Sequence, residues 1–270
     1  MYLLNDLTAS SLANAAAQNL ATHFTWVQRH TLGMHIIESD DLVLTDCGLP
    51  CDTFNAICRA RLDVNIAQER IQSAVQYFAE VQRPFSWWLS PGDQPGNLDA
   101  LLQNACLEYA ESELAMAADL DRLTLCDLSP DGLQIRRVRT TAELADFATI
   151  VAANWSPPDD QVMQFYQLAA PLLLQEESPL WLYVGYLGET PVVSSELTIG
   201  GGVVGLYSIC TLVDYRRRGF GAALTLQPLL DARAEGYRTA ILQASDQGSR
   251  VYRRLGFEPF GQISEYKPPR

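Results

Sequence analysis

Lysine is nearly missing from this chain: Lys267 is the only one among 19 basic residues. Histidine is scarce too, with His23, His30 and His35 all near the start, so histidine catalysis within the second half is excluded. The six cysteines stand singly except for Cys47-x3-Cys51, with no second close pair and no suitably spaced histidines beside them. A zinc site needs such a set, so no metal is expected and the thiols read as buried small apolar groups. No apolar run approaches the ~18 residues of a membrane span, and the start has no basic leader, so a cytoplasmic protein with no membrane partner is expected. No Gly-x4-Gly-Lys-[Ser/Thr] loop occurs. The string Gly200-x-Gly202-x-x-Gly205 opens a strand and not a helix, which excludes a dinucleotide fold there.

What is present is a globular composition, 48% hydrophobic and 19% charged over 270 residues. That length suggests two domains at ~150 residues each. The net charge of −13 is unevenly spread. Residues 1–130 hold 17 acids and 6 bases, whereas residues 131–270 hold 15 and 13. An acid-rich surface repels a phosphate backbone, so nucleic acid is not an expected partner and a cationic ligand is favoured.

Turn formers from Leu125 to Gly132 interrupt two helical patterns and mark a boundary, giving domains 1–127 and 131–270. Beyond it the pattern reads as a strand at Leu133–Val138, helices over 141–155 and 159–177, and strands at 180–187, 192–199 and 203–212. A helix from Gly219, a strand at 239–244, a helix at about 247–255 and a strand at 260–267 complete an α/β fold with a mixed sheet. The first half repeats this order less clearly. It has a helix from near Thr8, strands at 34–37, 42–45 and 54–61, a helix at 64–82, a strand at 85–90 and a helix at 98–107. The segment Phe54-Asn55-Ala56-Ile57-Cys58 echoes Leu206-Tyr207-Ser208-Ile209-Cys210, which suggests two copies of one fold.

Chemistry concentrates in Ile209–Leu224, where a strand ends in Arg216-Arg217-Arg218-Gly219-Phe220-Gly221-Ala222 and a helix begins. Such a turn aims backbone N–H groups and the positive end of the helix dipole at an anion. Taken alone, it reads equally as a tight strand-to-helix turn with solvated arginines.

Arg216-x-x-Gly219-x-Gly221 resembles the acyl-CoA pyrophosphate signature of the GNAT acetyltransferase superfamily. The later run Ser245-Asp246-Gln247-Gly248-Ser249-Arg250-Val251-Tyr252-Arg253-Arg254-Leu255-Gly256-Phe257 resembles that family's helix bearing a tyrosine followed by Gly-Phe. The resemblance implies two GNAT-like domains in tandem. The first is degenerate and helps shape the acceptor cleft, since ungapped alignment from Cys58 puts Ala67 and Glu69 where the second copy has Gly219 and Gly221. It further implies acetyl-CoA as co-substrate, with Ile209, Cys210 and Thr211 along the pantetheine arm and Arg217, Arg218, Gly219, Phe220, Gly221 and Ala222 at the pyrophosphate. Tyr252 matches the family's general acid, although a tyrosine beside Leu255 and Phe257 also suits a core. Ser245 stands where many relatives carry a cofactor-touching asparagine.

The base is not identifiable from sequence. Ala240 occupies the position of one known glutamate, leaving Glu196, Glu258, Glu265 or water, and Glu196 reads equally as a solvated strand residue. The expected activity is N-acetyl transfer from acetyl-CoA to a primary amine of a small molecule or peptide, by direct attack. The alternatives are an acyl-CoA-binding sensor or scaffold without turnover, and a transferase of a longer acyl group.

Overall fold

In the computed structural model, which describes residues 3–4 and 7–269, the first half runs α1 (Ala9–His30), β1 (His35–Glu38), β2 (Val43–Asp46), β3 (Ala56–Cys58), α2 (Ala67–Val81), β4 (Ser86–Leu89), α3 (Leu98–Asn104) and β5 (Glu108–Asp119). The second half runs β6 (Gln134–Arg137), α4 (Thr141–Ala152), α5 (Asp160–Leu173), β7 (Leu180–Leu187), β8 (Thr190–Gly200), β9 (Val203–Thr211), α6 (Phe220–Ala234), β10 (Thr239–Ala244), α7 (Asp246–Leu255) and β11 (Glu258–Lys267). Local chemistry sets many of these limits. Thr140 caps α4 in a reciprocal box with Glu143, and Asp159 and Ser245 accept backbone N–H bonds at the starts of α5 and α7.

All eleven strands form one sheet in the order β1-β2-β3-β4-β11-β5-β10-β9-β8-β7-β6. Only β3–β4 and β9–β10 pair in parallel, once in each half. The centre is an exchange. β11, the last strand of the second half, lies between β4 and β5, while β5, the last strand of the first half, lies between β11 and β10.

β5 corrects the sequence reading, in which the stretch before Leu125 had a helical pattern. Glu, Ala, Leu and Met do favour helix, by tenths of a kcal/mol per residue. A twelve-residue segment hydrogen-bonded on both edges outweighs that preference. β3 is also shorter than expected, because the chain past Cys58 leaves the sheet, and Arg61 makes only an isolated bridge with Gln94 outside it. Burial holds for Cys47, Cys51 and Cys58, but Cys106 is exposed and Cys126 and Cys210 are half-buried.

Helix α1 is packed by both halves. Its Leu20, Ala21 and Phe24 meet Val43, Ala56 and Cys58, whereas Leu12, Ala15 and Ala16 meet Val203 and Ile241. Its alanines let the β8–β9 hairpin approach closely, and this explains the glycines there. A Cβ on Gly201 would strike the Ala15 carbonyl, and one on Gly205 would strike the Asn19 side chain. Asn19, fully buried, donates from Nδ2 to the carbonyls of Thr198 at 2.9 Å and Gly200 at 3.1 Å, and its Oδ1 accepts from the Tyr207 hydroxyl at 2.8 Å.

Replacing Asn19 by Leu strands these buried partners, each worth about 1–3 kcal/mol when left unsatisfied. Asn19→Leu should therefore lower Tm by several degrees in a thermal melt. An unchanged Tm would show that the hairpin docks on α1 by apolar contact alone.

Candidate active site

β9 and β10 pair only where Ala240, Ile241 and Leu242 face Val204, Gly205 and Leu206. Past that point the strands part. β9 carries a bulge, its register against β8 slipping between Glu196–Tyr207 and Ser194–Cys210, with Ser208 in the left-handed region at φ 50°. Ser194 Oγ donates to the Ser208 carbonyl at 3.0 Å and holds this turn of the strand. The gap opens into a cleft of about 620 Å³.

Ile209, Cys210, Thr211, Arg217, Gly219, Phe220, Gly221, Ala222, Ser245 and Tyr252 all line this one cleft. Arg218 does not. It pairs with Asp131 at 2.8 Å and lies 4.9 Å from the Phe220 ring centroid. Arg216, the first residue of the signature, lines it too, and sequence reasoning missed Asn154, Tyr215, Gln247, Gly248 and Val251, which do so as well. Gln247, Gly248 and Val251 lay inside the tyrosine motif, but nothing in the sequence marked Asn154, which comes from the connection after α4.

The turn into α6 has two left-handed residues, Arg217 at φ 62° and Gly219 at φ 85°. Only glycine adopts the second cheaply, and a Cβ on Gly221 would meet nothing closer than Thr211 Oγ1 at 3.8 Å. No acid lies in the first turn of α6, so its free N–H groups and dipole face the cleft uncancelled. The matching turn into α2 differs, with Ile66 at the cap and Glu69 in the first turn. α2 starts nine residues after Cys58 and α6 ten after Cys210, so Gln68 rather than Glu69 stands opposite Gly221, a one-residue correction to the ungapped alignment.

Tyr252 and Leu114 both pack against the cluster formed with α6, and the Tyr252 and Phe257 rings are inclined to each other with centroids 6.1 Å apart. Burial, then the nearby Glu113 and Cys210, push its phenol pKa up, so it stays protonated at neutral pH. Burial also raises the Cys210 thiol, whose Sγ lies 2.9 Å from Asn154 Nδ2. Ser245 Oγ accepts from Gly248 N at 3.2 Å and so caps α7 at the rim.

The base candidates separate clearly. Ala240 is buried between Ala118 and Val204. Glu196 is no solvated strand residue but 2% exposed, bonded to His23 Nδ1 at 2.6 Å and Thr198 Oγ1 at 2.8 Å. His23 thus reaches the second half's sheet from α1, although no imidazole lies within that half. Glu265 is held by Ser86 Oγ at 2.6 Å and Lys267 at 3.1 Å, and exposed Glu258 lies 3.7 Å from Arg253. Glu113, which the sequence did not single out, sits on β5 opposite Ile263, one residue past the Leu114–Ala244 pair at the rim. Burial, then Glu111 and Glu265, raise its carboxyl pKa to about 7.

The sequence matches no family model and no curated protein. Solved structures do match. A GCN5-related N-acetyltransferase from Kribbella flavida superposes with a TM-score of 0.71 at 20% identity, covering 94% of this chain and 96% of that one. One from Sphaerobacter thermophilus gives 0.61 at 16% identity, with 96% and 91% covered. A tandem GNAT protein from the clavulanic acid biosynthesis pathway gives 0.58 at 12% identity, with 99% and 96% covered. With the element order repeated in each half and the parallel strands parting over a glycine turn, this chain has the GNAT acetyltransferase fold, in two copies sharing one sheet.

Proposed function

We propose that the protein is an acyl-CoA-dependent N-acyltransferase whose second half binds acetyl-CoA and passes the acetyl group to a primary amine. The observation that carries this is convergence: an anion-receiving helix start and a protonated, half-buried tyrosine face one cleft between parting strands. The diphosphate would lie on the N–H groups of Gly219 to Ala222, with the Arg217 charge alongside. The thioester arm would then run along Ile209–Thr211, whose backbone leaves β10 and is free to bond a ligand. As the amine attacks the carbonyl, charge develops on its oxygen, which backbone N–H groups beside the bulge would stabilise. Tyr252 would protonate the departing thiolate sulfur.

The first half lacks a second left-handed residue before α2 and carries Glu69 in that helix's first turn, which supports its having no cofactor site. Its role would be to shape the acceptor side. A space of about 950 Å³ at the start of β5 is lined by Asp52, Glu108, Glu111 and Glu265 together with Arg83 and Lys267. Lys267 already pairs with Asp52 and Glu265, so Glu108 and Glu111 are the acids left to favour an acceptor that arrives as a cation.

Calorimetry should give one acetyl-CoA site per chain, lost in Gly221→Glu. Two sites, or a site retained in that variant, would refute the assignment. Tyr252→Phe should leave this affinity nearly unchanged while lowering thiol release, across a library of amines, by roughly 10²-fold. Binding with no thiol release from the wild-type protein would instead mark an acyl-CoA-binding sensor.

A further inference from the structure

Direct transfer to an amine needs a base, because near neutral pH the acceptor is an ammonium ion without a lone pair. Among the acids considered, Glu196, Glu258 and Glu265 are all engaged, by His23 and Thr198, by Arg253, and by Ser86 and Lys267 respectively. Glu113 differs from them. It is partly buried, yet among the described residues no hydrogen bond or ion pair to its carboxylate is found. A half-buried carboxylate kept without a partner costs stability, and such a cost is retained where a group has work to do.

Its position fits that work. Leu114 and Met116 pack with α6 and α7, and Ala117 packs with α1, so alternation along β5 sends Glu113 to the α1 face and Leu114 to the face that holds Tyr252. At Glu113, β5 has just passed the end of β10, where the gap beside β9 opens. Glu113 and Tyr252 therefore flank that gap from opposite faces of the sheet, Tyr252 lining the cleft on one face and Glu113 standing outside that lining on the other. We propose that Glu113, carried to the second half's site on the last strand of the first half, is the general base of the N-acyl transfer; the inference rests on the transferase reading above.

The step balances as follows. The Glu113 carboxylate takes one proton from the ammonium, the freed lone pair forms the N–C bond at the thioester carbonyl, and the C–S pair leaves on sulfur. Tyr252 gives its proton to that sulfur and is reprotonated by the second N–H proton, while Glu113 releases its own to solvent. The charged or titratable groups facing Glu113 are Glu111 on its own strand, Glu265 on β11, with Lys267 beyond it, and Tyr252 on α7; Cys210 on β9 adjoins Tyr252. β10 contributes none. Burial, and then the two acids, hold the Glu113 carboxyl near pH 7, so the base is competent above that pH.

The test is Glu113→Gln, assayed for thiol release with saturating acetyl-CoA and an amine found to be a substrate. The rate near pH 7.5 should fall by roughly 10²-fold with acetyl-CoA affinity unchanged. In wild type, kcat/KM should rise through about pH 7 and level off. In the variant that limb should vanish, and the rate should climb toward the amine's own pKa. Glu113→Asp should restore part of the rate, and Glu111→Gln, by removing a repelling charge, should move the limb to lower pH. A Glu113→Gln enzyme that keeps the rate and the limb overturns the proposal, as does loss of the limb in His23→Asn with Glu113 intact. Wild-type protein that binds acetyl-CoA and releases no thiol overturns the transferase reading and the base with it.

Stability gives a second readout. With the folded pKa raised from 4.5 to about 7, folding takes up a proton between these values, so stability from the neutral carboxyl is lost as pH rises through 7. Glu113→Gln should therefore melt above wild type at pH 8 and level with it at pH 4. An equal difference at both would put the charge in water and overturn the proposal.

Discussion

The pairing of β5 with β11 is the constraint on which the molecule depends. Each is the last strand of its own half, and each hydrogen-bonds to the other half's parallel unit on its far edge. Neither half closes its sheet alone: without β5 the edge of β10 is bare, and without β11 so is that of β4. The chain therefore has two copies of one fold but a single continuous backbone network, and α1, packed by strands of both copies, adds an apolar tie to the polar one.

That exchange also carries charge from one half into the other. The cleft receives the start of α6 with no acid in its first turn to cancel the dipole, while β5 brings Glu108, Glu111 and Glu113 from the acid-rich half into the centre of the sheet. The helix start and the glutamates come from different halves of the chain, which gives the uneven charge of the sequence a spatial meaning.

The second half was legible because its signals are local. A continuous apolar run marks β7, a threonine cap marks the start of α4, and the glycine turn needs only neighbours in sequence to be recognised. What was illegible depends on distant partners. β5 is written in helix-forming residues and becomes a strand because two edges await it. Arg218 carries the right charge in the right motif but turns to Asp131, from the linker, rather than to the cleft. The glycines at 200–205 do not read as a nucleotide loop, and the reason they are glycines lies in α1, nearly two hundred residues away. Glu113 could not be found by spacing at all, since its place beside the gap is set by the pairing of β5 with β10 and β11, more than a hundred residues later.

The central pair also bears on how the chain comes to be folded. Ser112 and Ser264, whose hydroxyls meet at 3.3 Å, are 152 residues apart in sequence, so the contact that joins the halves cannot form until the second half has been made. During synthesis β5 emerges long before its partners β10 and β11 exist. A bare strand of that length invites pairing between nascent chains. Three glutamates in its first six residues repel that encounter, so the charges of this strand act as gatekeepers while the chain is incomplete.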